Sequence, residues 1–300
     1  MMASPRKRAF ARLARERACH TIFDTAASAL PRKRAFKMNQ ESDDVLGGFE
    51  AFAGQLADEA REISLRYFRK KLDVETKSDE SPVTIADREI EAHIRARLAQ
   101  RFPAHGIFGE EHGRERTDAR YVWVIDPIDG TRSFVTGWPI WGTLFALLRD
   151  GEPILGVIDV PVTGERWIGG EPGAFDGQGQ VLRTSGCTSL AAANVYATSP
   201  DIFDANELPV FEAVCRAAAS RRFGGDCYCY AMVASGYVDA VVEAGLQPYD
   251  YLAIVPVVEA AGGRVTDWQG RAVGMESDGR IVAAATPELH AQIIEFTRRL

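Results

Sequence analysis

The chain has 300 residues, 46% of them hydrophobic, enough for a sizeable core in one large domain or two ordinary ones. Its longest uncharged runs, Ser133–Leu148 and Thr184–Pro200, are too short and too rich in Gly, Pro, Ser and Thr to span a bilayer, so a soluble protein is expected. Net charge is −7, but residues 1–38 hold ten of the 35 Lys/Arg and two of the 42 acids; the rest carries 25 basic against 40 acidic residues, a poor surface for nucleic acid.

The chain opens on a basic stretch in which PRKRAF occurs twice, at Pro5–Phe10 and Pro31–Phe36. An organellar transit segment, a nucleic-acid or membrane-surface arm, and a flexible leader ahead of Met38 all fit this composition. We read residues 1–42 as a flexible basic leader and exclude them from the fold. Folded patterning then begins near Asp43. Phe49, Phe52, Leu56, Ala60, Ile63 and Tyr67 recur at three- and four-residue steps and predict an amphipathic helix, with Arg69, Lys70 and Lys71 at its last turn. A polar connection from Glu75 to Pro82 follows. Ile90, Ile94 and Leu98 predict a second helix, ended by Pro103 and Gly106.

From Ile107 the period changes. Ile107–Phe108, Tyr121–Ile125, Thr143–Leu148, Ile154–Val162 and Arg166–Ile168 read as strands between Gly, Asp and Pro punctuation. The second half alternates: strand Asn194–Thr198, helices Leu208–Ala219 and Tyr228–Ser235, strand Ala240–Glu243, a helix over Leu252–Ala261 bent at Pro256, then strands Val265–Trp268 and Ile281–Ala284. The expected class is α+β over residues 43–185 and α/β over 186–300, joined through the polar run at 184–190. The five cysteines, Cys19, Cys187, Cys215, Cys227 and Cys229, make no CxxC pair and no zinc spacing, which fits reduced thiols and a cytoplasmic location.

The chemistry concentrates in DPIDGT, residues 126–131. A strand delivers Asp126, Pro127 stiffens the turn, and Asp129 can fold back beside Asp126. Two carboxylates so close repel unless a cation lies between them. A hard divalent ion with oxygen ligands removes that repulsion, and Mg²⁺ suits a site where substrate phosphate adds oxygens. The N–H groups of Gly130 and Thr131 open the next segment and can face an anion. A turn in which Asp merely caps backbone is the bland alternative for an isolated DxxDG. Three further acids accompany it: Glu110 in Gly109-Glu110-Glu111, Asp87 shortly after Thr84 before the second helix, and Asp250 before the Leu252 helix. Each alone reads equally well as a cap.

Together, GEE, then DPIDGT, then a late Asp before a helix ending EAAGG resemble the inositol monophosphatase superfamily, over roughly residues 45–295. Within it, GTRSFVTGWPIWGTL, GGDCYCYAMVASG and LQPYDYLAIVPVVEAAGG are similar to the histidinol-phosphate phosphatase branch. Inositol phosphatases typically carry GTTNF and a WD pair, where this chain has Gly130-Thr131-Arg132-Ser133-Phe134 and Tyr249-Asp250. The resemblance implies a layered αβαβα sandwich, a phosphomonoesterase using two or three Mg²⁺ ions, and a homodimer. It also implies that Glu110, Asp126, the Ile128 carbonyl, Asp129 and Asp250 hold the metals, with Asp126 bridging. Asp87 and Thr131 would orient and deprotonate the attacking water, and Gly130 and Thr131 would hold the phosphate. No motif places a Cys or His nucleophile, so direct attack by water is expected.

Substrate choice is expected in the second half. Asp226, in Gly224-Gly225-Asp226, resembles the segment lining the leaving-group pocket, where an acid suits a cationic amine or imidazole such as that of L-histidinol phosphate. Glu243 sits where the family places a second polar contact. Arg222 and Arg132 are candidates to supplement the phosphate site, while His112, Trp138 and Trp141 read as loop and packing residues. The other readings are an inositol-1-phosphate or sugar-phosphate phosphatase, a nucleotide 3′-phosphatase, which an acid in the pocket opposes, and a non-catalytic regulator binding nucleic acid through its basic leader.

Overall fold

A computed structural model describes residues 40–70, 75–76 and 82–300; the leader up to residue 39, and with it Cys19, lies outside them, while its residues 40–42 belong to the first helix. Helices α1 (Gln40–Tyr67) and α2 (Ile85–Arg101) flank a two-stranded ribbon, β1 (Glu75–Thr76) against β2 (Pro82–Val83). Helix α1 ends at Tyr67 with Arg66 in its last turn, so Arg69 and Lys70 lie past the helix end rather than within it, and Lys71 is outside the described residues. Seven strands then form the first sheet: β3 (Gly106–Gly109), β4 (Gly113–Glu115), β5 (Tyr121–Asp129), β6 (Gly142–Arg149), β7 (Glu152–Val160), β8 (Glu165–Gly170) and β9 (Gly173–Asp176), in the order β4-β3-β5-β6-β7-β8-β9. Only β3 and β5 pair in parallel.

The second sheet follows residues 184–190. Its strands β10 (Asn194–Ala197), β11 (Ser220–Phe223), β12 (Ala240–Glu243), β13 (Arg264–Asp267) and β14 (Ile281–Ala284) lie in the order β11-β10-β12-β14-β13. Helices α4 (Glu207–Ala217), α5 (Cys227–Ala234), α6 (Pro248–Tyr251), α7 (Ile254–Ala260) and α8 (Pro287–Thr297) connect and follow them, and the short α3 (Thr131–Thr136) follows β5. The expected helix over Leu252–Ala261 is the shorter α7, with the separate one-turn α6 ahead of it. Pro256 falls in the first turn of α7, where an N–H would have no intrahelical acceptor, so it starts a helix rather than bending one.

Three apolar clusters define five layers. Phe52, Leu56, Ile90 and Ile94 of α1 and α2 pack on Trp123, Ile125 and Phe145. Val122, Val124 and Leu144, from the opposite face of the same sheet, meet Tyr230 and Val257 of α5 and α7, which also pack on Val241 and Ala283 of the second sheet. Phe211 and Leu289 of α4 and α8 cover that sheet's far face at Val195 and Val282. The architecture is the expected αβαβα sandwich. Both faces of β5 are covered, which is why its sequence is an unbroken apolar run. Side-chain parity puts Asp126 on the Val122/Val124 face, toward the middle helical layer.

Candidate active site

Strand β5 does not stop before the acids. It continues to Asp129, with an irregular register against β6 between Asp126 and Asp129. Such a bulge re-aims side chains at a strand end. Thr143 Oγ1 donates to Pro127 O at 2.8 Å, and Thr131 Oγ1 donates to Ile128 O at 3.1 Å, which ties the bulge to β6 and to α3. Gly130 then caps α3 at φ 81°, a conformation that favours glycine.

Asp250 is brought in from the other half of the chain. It lies within α6, not ahead of a long helix, and its Oδ2 accepts from Gln247 N at 2.7 Å. Asp126, Asp129 and Asp250 each offer an oxygen, all within 4.8 Å of one another. Burial first, then the charges of Glu110, Asp129 and Asp250, push the Asp126 carboxyl well above its usual range. Asp129 is likewise raised, by burial and then by Asp226 and Asp250, although Cys227 N donates to its Oδ2 at 2.6 Å. Asp250 is pushed up to about 7, chiefly by burial. Asp126 Oδ1 is buried with no hydrogen-bond partner among the described residues. An unpartnered buried oxygen amid converging carboxylates is a donor set for a hard divalent cation, and Mg²⁺ fits it.

Asp87 stands in the first turn of α2 rather than before the helix. Thr84 is the N-cap, and its N–H and hydroxyl both donate to Asp87 Oδ2, at 2.8 and 2.6 Å. Burial pushes this carboxyl up to about 7 against those two bonds, and Glu110 and Glu111 add to the rise. Among the described residues no hydrogen bond joins Asp87 to Thr131.

A cavity of about 840 Å³ opens beside the cluster, lined by Gly130, Thr131, Arg132, Trp138, Asp226 and Asp250 among others. A deeper recess of about 90 Å³ shares part of its wall and is faced by Asp129, Asp226, Glu243 and Asp250. Asp226 caps α5 at φ 44°, ψ −135°, a strained backbone for a residue with a side chain. Its Oδ2 accepts from Ser133 Oγ at 2.7 Å and would lie 2.7 Å from a Cβ added at Gly130. Burial raises its carboxyl, opposed by Ser133 and by the charge of Arg132. Glu243 is fully enclosed: Thr198 N donates to one oxygen at 2.5 Å and Tyr230 OH to the other at 2.7 Å. Arg222 is exposed on edge strand β11 and is not brought to the cavity. Trp138 lines the mouth at 61% exposure, whereas Trp141 is in the core against Phe134. His112 is exposed. Ser133 and the Cys227 N–H, which bond Asp226 and Asp129, are contacts within the candidate site that the sequence reading missed. Ser133 lay inside the GTRSF stretch, but only the fold shows that it meets Asp226.

The profile of the inositol monophosphatase family matches residues 48–300. The chain belongs to the inositol monophosphatase family. Relatives in it include the bifunctional phosphatase IMPL2, chloroplastic, of Arabidopsis thaliana, 42% identical over 94% of this chain and 84% of that protein. A histidinol-phosphatase of Chlorobaculum parvum is 36% identical over 76% of this chain and 89% of its own length. The solved structure of an inositol monophosphatase from Zymomonas mobilis superposes with a TM-score of 0.77 at 40% identity, covering 87% of this chain and all of that one. The family membership makes this chain a phosphatase with a small phosphorylated substrate and accounts for its acidic cluster. Among the described residues no helix is long and apolar enough to cross a membrane.

Proposed function

We propose that this inositol monophosphatase family member is a Mg²⁺-dependent phosphomonoesterase that hydrolyses L-histidinol phosphate to L-histidinol and phosphate, a step of histidine biosynthesis. The observation that carries the substrate is Asp226. A carboxylate held in a strained conformation, at the junction of the open cavity and the acidic recess, suits a substrate whose leaving group is cationic. An uncharged leaving group would offer that carboxylate no charge beyond that of Arg132. The Chlorobaculum relative's name supports the same reading.

Glu110, Asp126, Asp129, Asp250 and the Ile128 carbonyl would hold two or three Mg²⁺ ions. When bound, Mg²⁺ supplies neutralisation of the phosphate dianion and stabilisation of the leaving alkoxide. Gly130 and Thr131 N–H groups, at the start of α3, orient the phosphate, with Arg132 beside them. Asp87, fixed by Thr84, accepts the proton of the attacking water, with Thr131 helping to align it. Asp226 orients the amine or imidazole. Glu243 shapes the recess from behind, since both its oxygens are already engaged. Direct attack by water is favoured by the state of the nearest thiol. Burial pushes Cys227 well above its usual range, so it is not a thiolate nucleophile.

The described cysteines Cys215, Cys227 and Cys229 form no disulfide, which fits a reducing compartment. We place the protein in the cytoplasm, with an organelle as the alternative, since the Arabidopsis relative carries the word chloroplastic in its name. A homodimer is proposed by family likeness, and light scattering on the eluting protein would read its mass directly.

The second reading is hydrolysis of inositol 1-phosphate or sugar phosphates, favoured by the likeness to the Zymomonas enzyme. Phosphate release with Mg²⁺ from L-histidinol phosphate and from inositol 1-phosphate, at matched concentrations, separates the two. A strong preference for histidinol phosphate supports the proposal. Equal rates, or preference for the inositol ester, discard it and leave the metal site standing.

A further inference from the structure

Helix α2 carries two more charged groups in register with Asp87: Glu91, one turn on, and Arg95, a turn further. Glu91 is completely buried. Its oxygens answer the chain segment that bears Glu110. Oε2 accepts from Glu111 N at 2.6 Å, and Oε1 accepts from His112 N at 3.1 Å and from Arg95 Nε at 2.8 Å. A second guanidinium nitrogen of Arg95 donates to Gly113 O, and the same group lies 3.6 Å from Glu115 Oε2. Helix α2 thus holds the 109–113 turn by the N–H groups of Glu111 and His112 and by the carbonyl of Gly113. The fit is close enough that a Cβ on Gly109 would overlap the Glu91 carboxylate, so a side chain there would have to displace it. Just ahead of these contacts, Glu110 N donates to Ile125 O at 3.3 Å, one residue before Asp126.

We propose that Glu91 and Arg95 are positioning residues that set the affinity of the carboxylate cluster for its divalent cation by fixing the Glu110 turn. The inference rests on the metal reading above. A ligand on a loose turn must be ordered when the cation binds, and that ordering weakens binding; a turn already ordered by buried charge-assisted hydrogen bonds does not carry the cost. Glu91 is not itself a ligand, because its oxygens are engaged by backbone and by Arg95. The spacing also couples two functions on one helix face. Asp87 and Glu91 move together, so the proton acceptor and the metal-bearing turn hold a constant relation.

The test is Mg²⁺ titration calorimetry on the full chain without substrate, together with the Mg²⁺ dependence of phosphate release. Glu91→Gln is expected to raise the Mg²⁺ dissociation constant by roughly 10–100-fold, the range typical of outer-shell partners, and excess Mg²⁺ should restore most of kcat. Arg95→Gln should move the constant in the same direction by less, because Glu91 keeps its two backbone bonds. A residue that only supported the fold would lower the melting temperature and leave the Mg²⁺ constant unmoved. That result, in a folded Glu91→Gln protein, overturns the inference. Should Glu91→Gln not fold, Arg95→Gln decides alone, and an unchanged constant overturns the inference equally. Absence of Mg²⁺ binding by the wild-type chain would overturn the metal reading and this inference together, an outcome distinct from the others.

Discussion

Asp126 is almost wholly buried, with one oxygen unpartnered and two other carboxylates in reach. Without a cation such a group is most stable protonated, since burial and like charge both oppose ionisation. Asp126→Asn keeps the shape and removes the charge. The variant is expected to lose phosphatase activity by more than ~100-fold, beyond the loss typical of outer-shell partners. At pH 8 without Mg²⁺ it should melt higher than wild type, because one buried carboxylate no longer has to ionise or hold a proton against solvent. Activity assays and thermal melts on the same preparation check both halves; normal activity would remove Asp126 from the metal site. At this scale the motif residues were legible because GEE, DPIDGT and the late Asp250 occur together in that order, although each alone reads as a cap or turn. Glu91 and Ser133 were not legible. An acid on a helix face and a serine in a loop are ordinary until their partners, 20 and 93 residues away, are known.

Among elements, α1 is tied to the first sheet by charge as well as by apolar contact. Asp159 of β7 is fully buried and receives Arg61 of α1 through two bonds, at 2.6 and 3.1 Å, and Arg166 of β8 at 2.7 Å. Asp159→Asn breaks that network and should cost roughly 3 kcal/mol, the low end for a broken buried pair because both guanidiniums keep some solvent. Urea unfolding reads the loss, and an unchanged midpoint would contradict it. Helix α8 carries a pH-sensitive contact. Thr266 Oγ1 gives its proton to Asp267 O, so His290 Nε2 donates to Thr266 Oγ1, at 2.7 Å, as the neutral imidazole. Burial, then the charge of Arg264, lowers the imidazole from its ordinary 6.5 to about 4. Between those values the unfolded chain takes up a proton that the native state refuses, so this contribution is complete above pH 6.5 and is lost as pH falls toward about 4. His290→Gln should flatten the fall of the urea midpoint across that window; an identical slope would contradict the assignment. Helices and central strands were readable from period. Strands β4, β9 and β11 were not, since they are short, half-exposed and supported by pairing rather than by their own alternation.

For the whole molecule, the site exists because five layers bring distant segments to one place. Asp87 comes from the outer helical layer, Glu110 from beyond β3, Asp126 and Asp129 from the bulged end of β5, and Asp250 from the middle layer. The order of these acids along the chain was legible, and so was the αβαβα sandwich, through the motif resemblance more than through period. The strained Asp226 and its seat against Gly130 were not, because a backbone conformation has no signature in a Gly-Gly-Asp run. In the proposed function the metal-bearing half meets a carboxylate that selects a cationic leaving group. The decisive measurement is kcat/KM for L-histidinol phosphate and for inositol 1-phosphate, in wild type and in Asp226→Asn, which can still accept from Ser133. A roughly 10–100-fold fall is expected for histidinol phosphate, the worth of one charge-assisted hydrogen bond, with little change for the inositol ester. Equal falls for both substrates, or none for either, would contradict it.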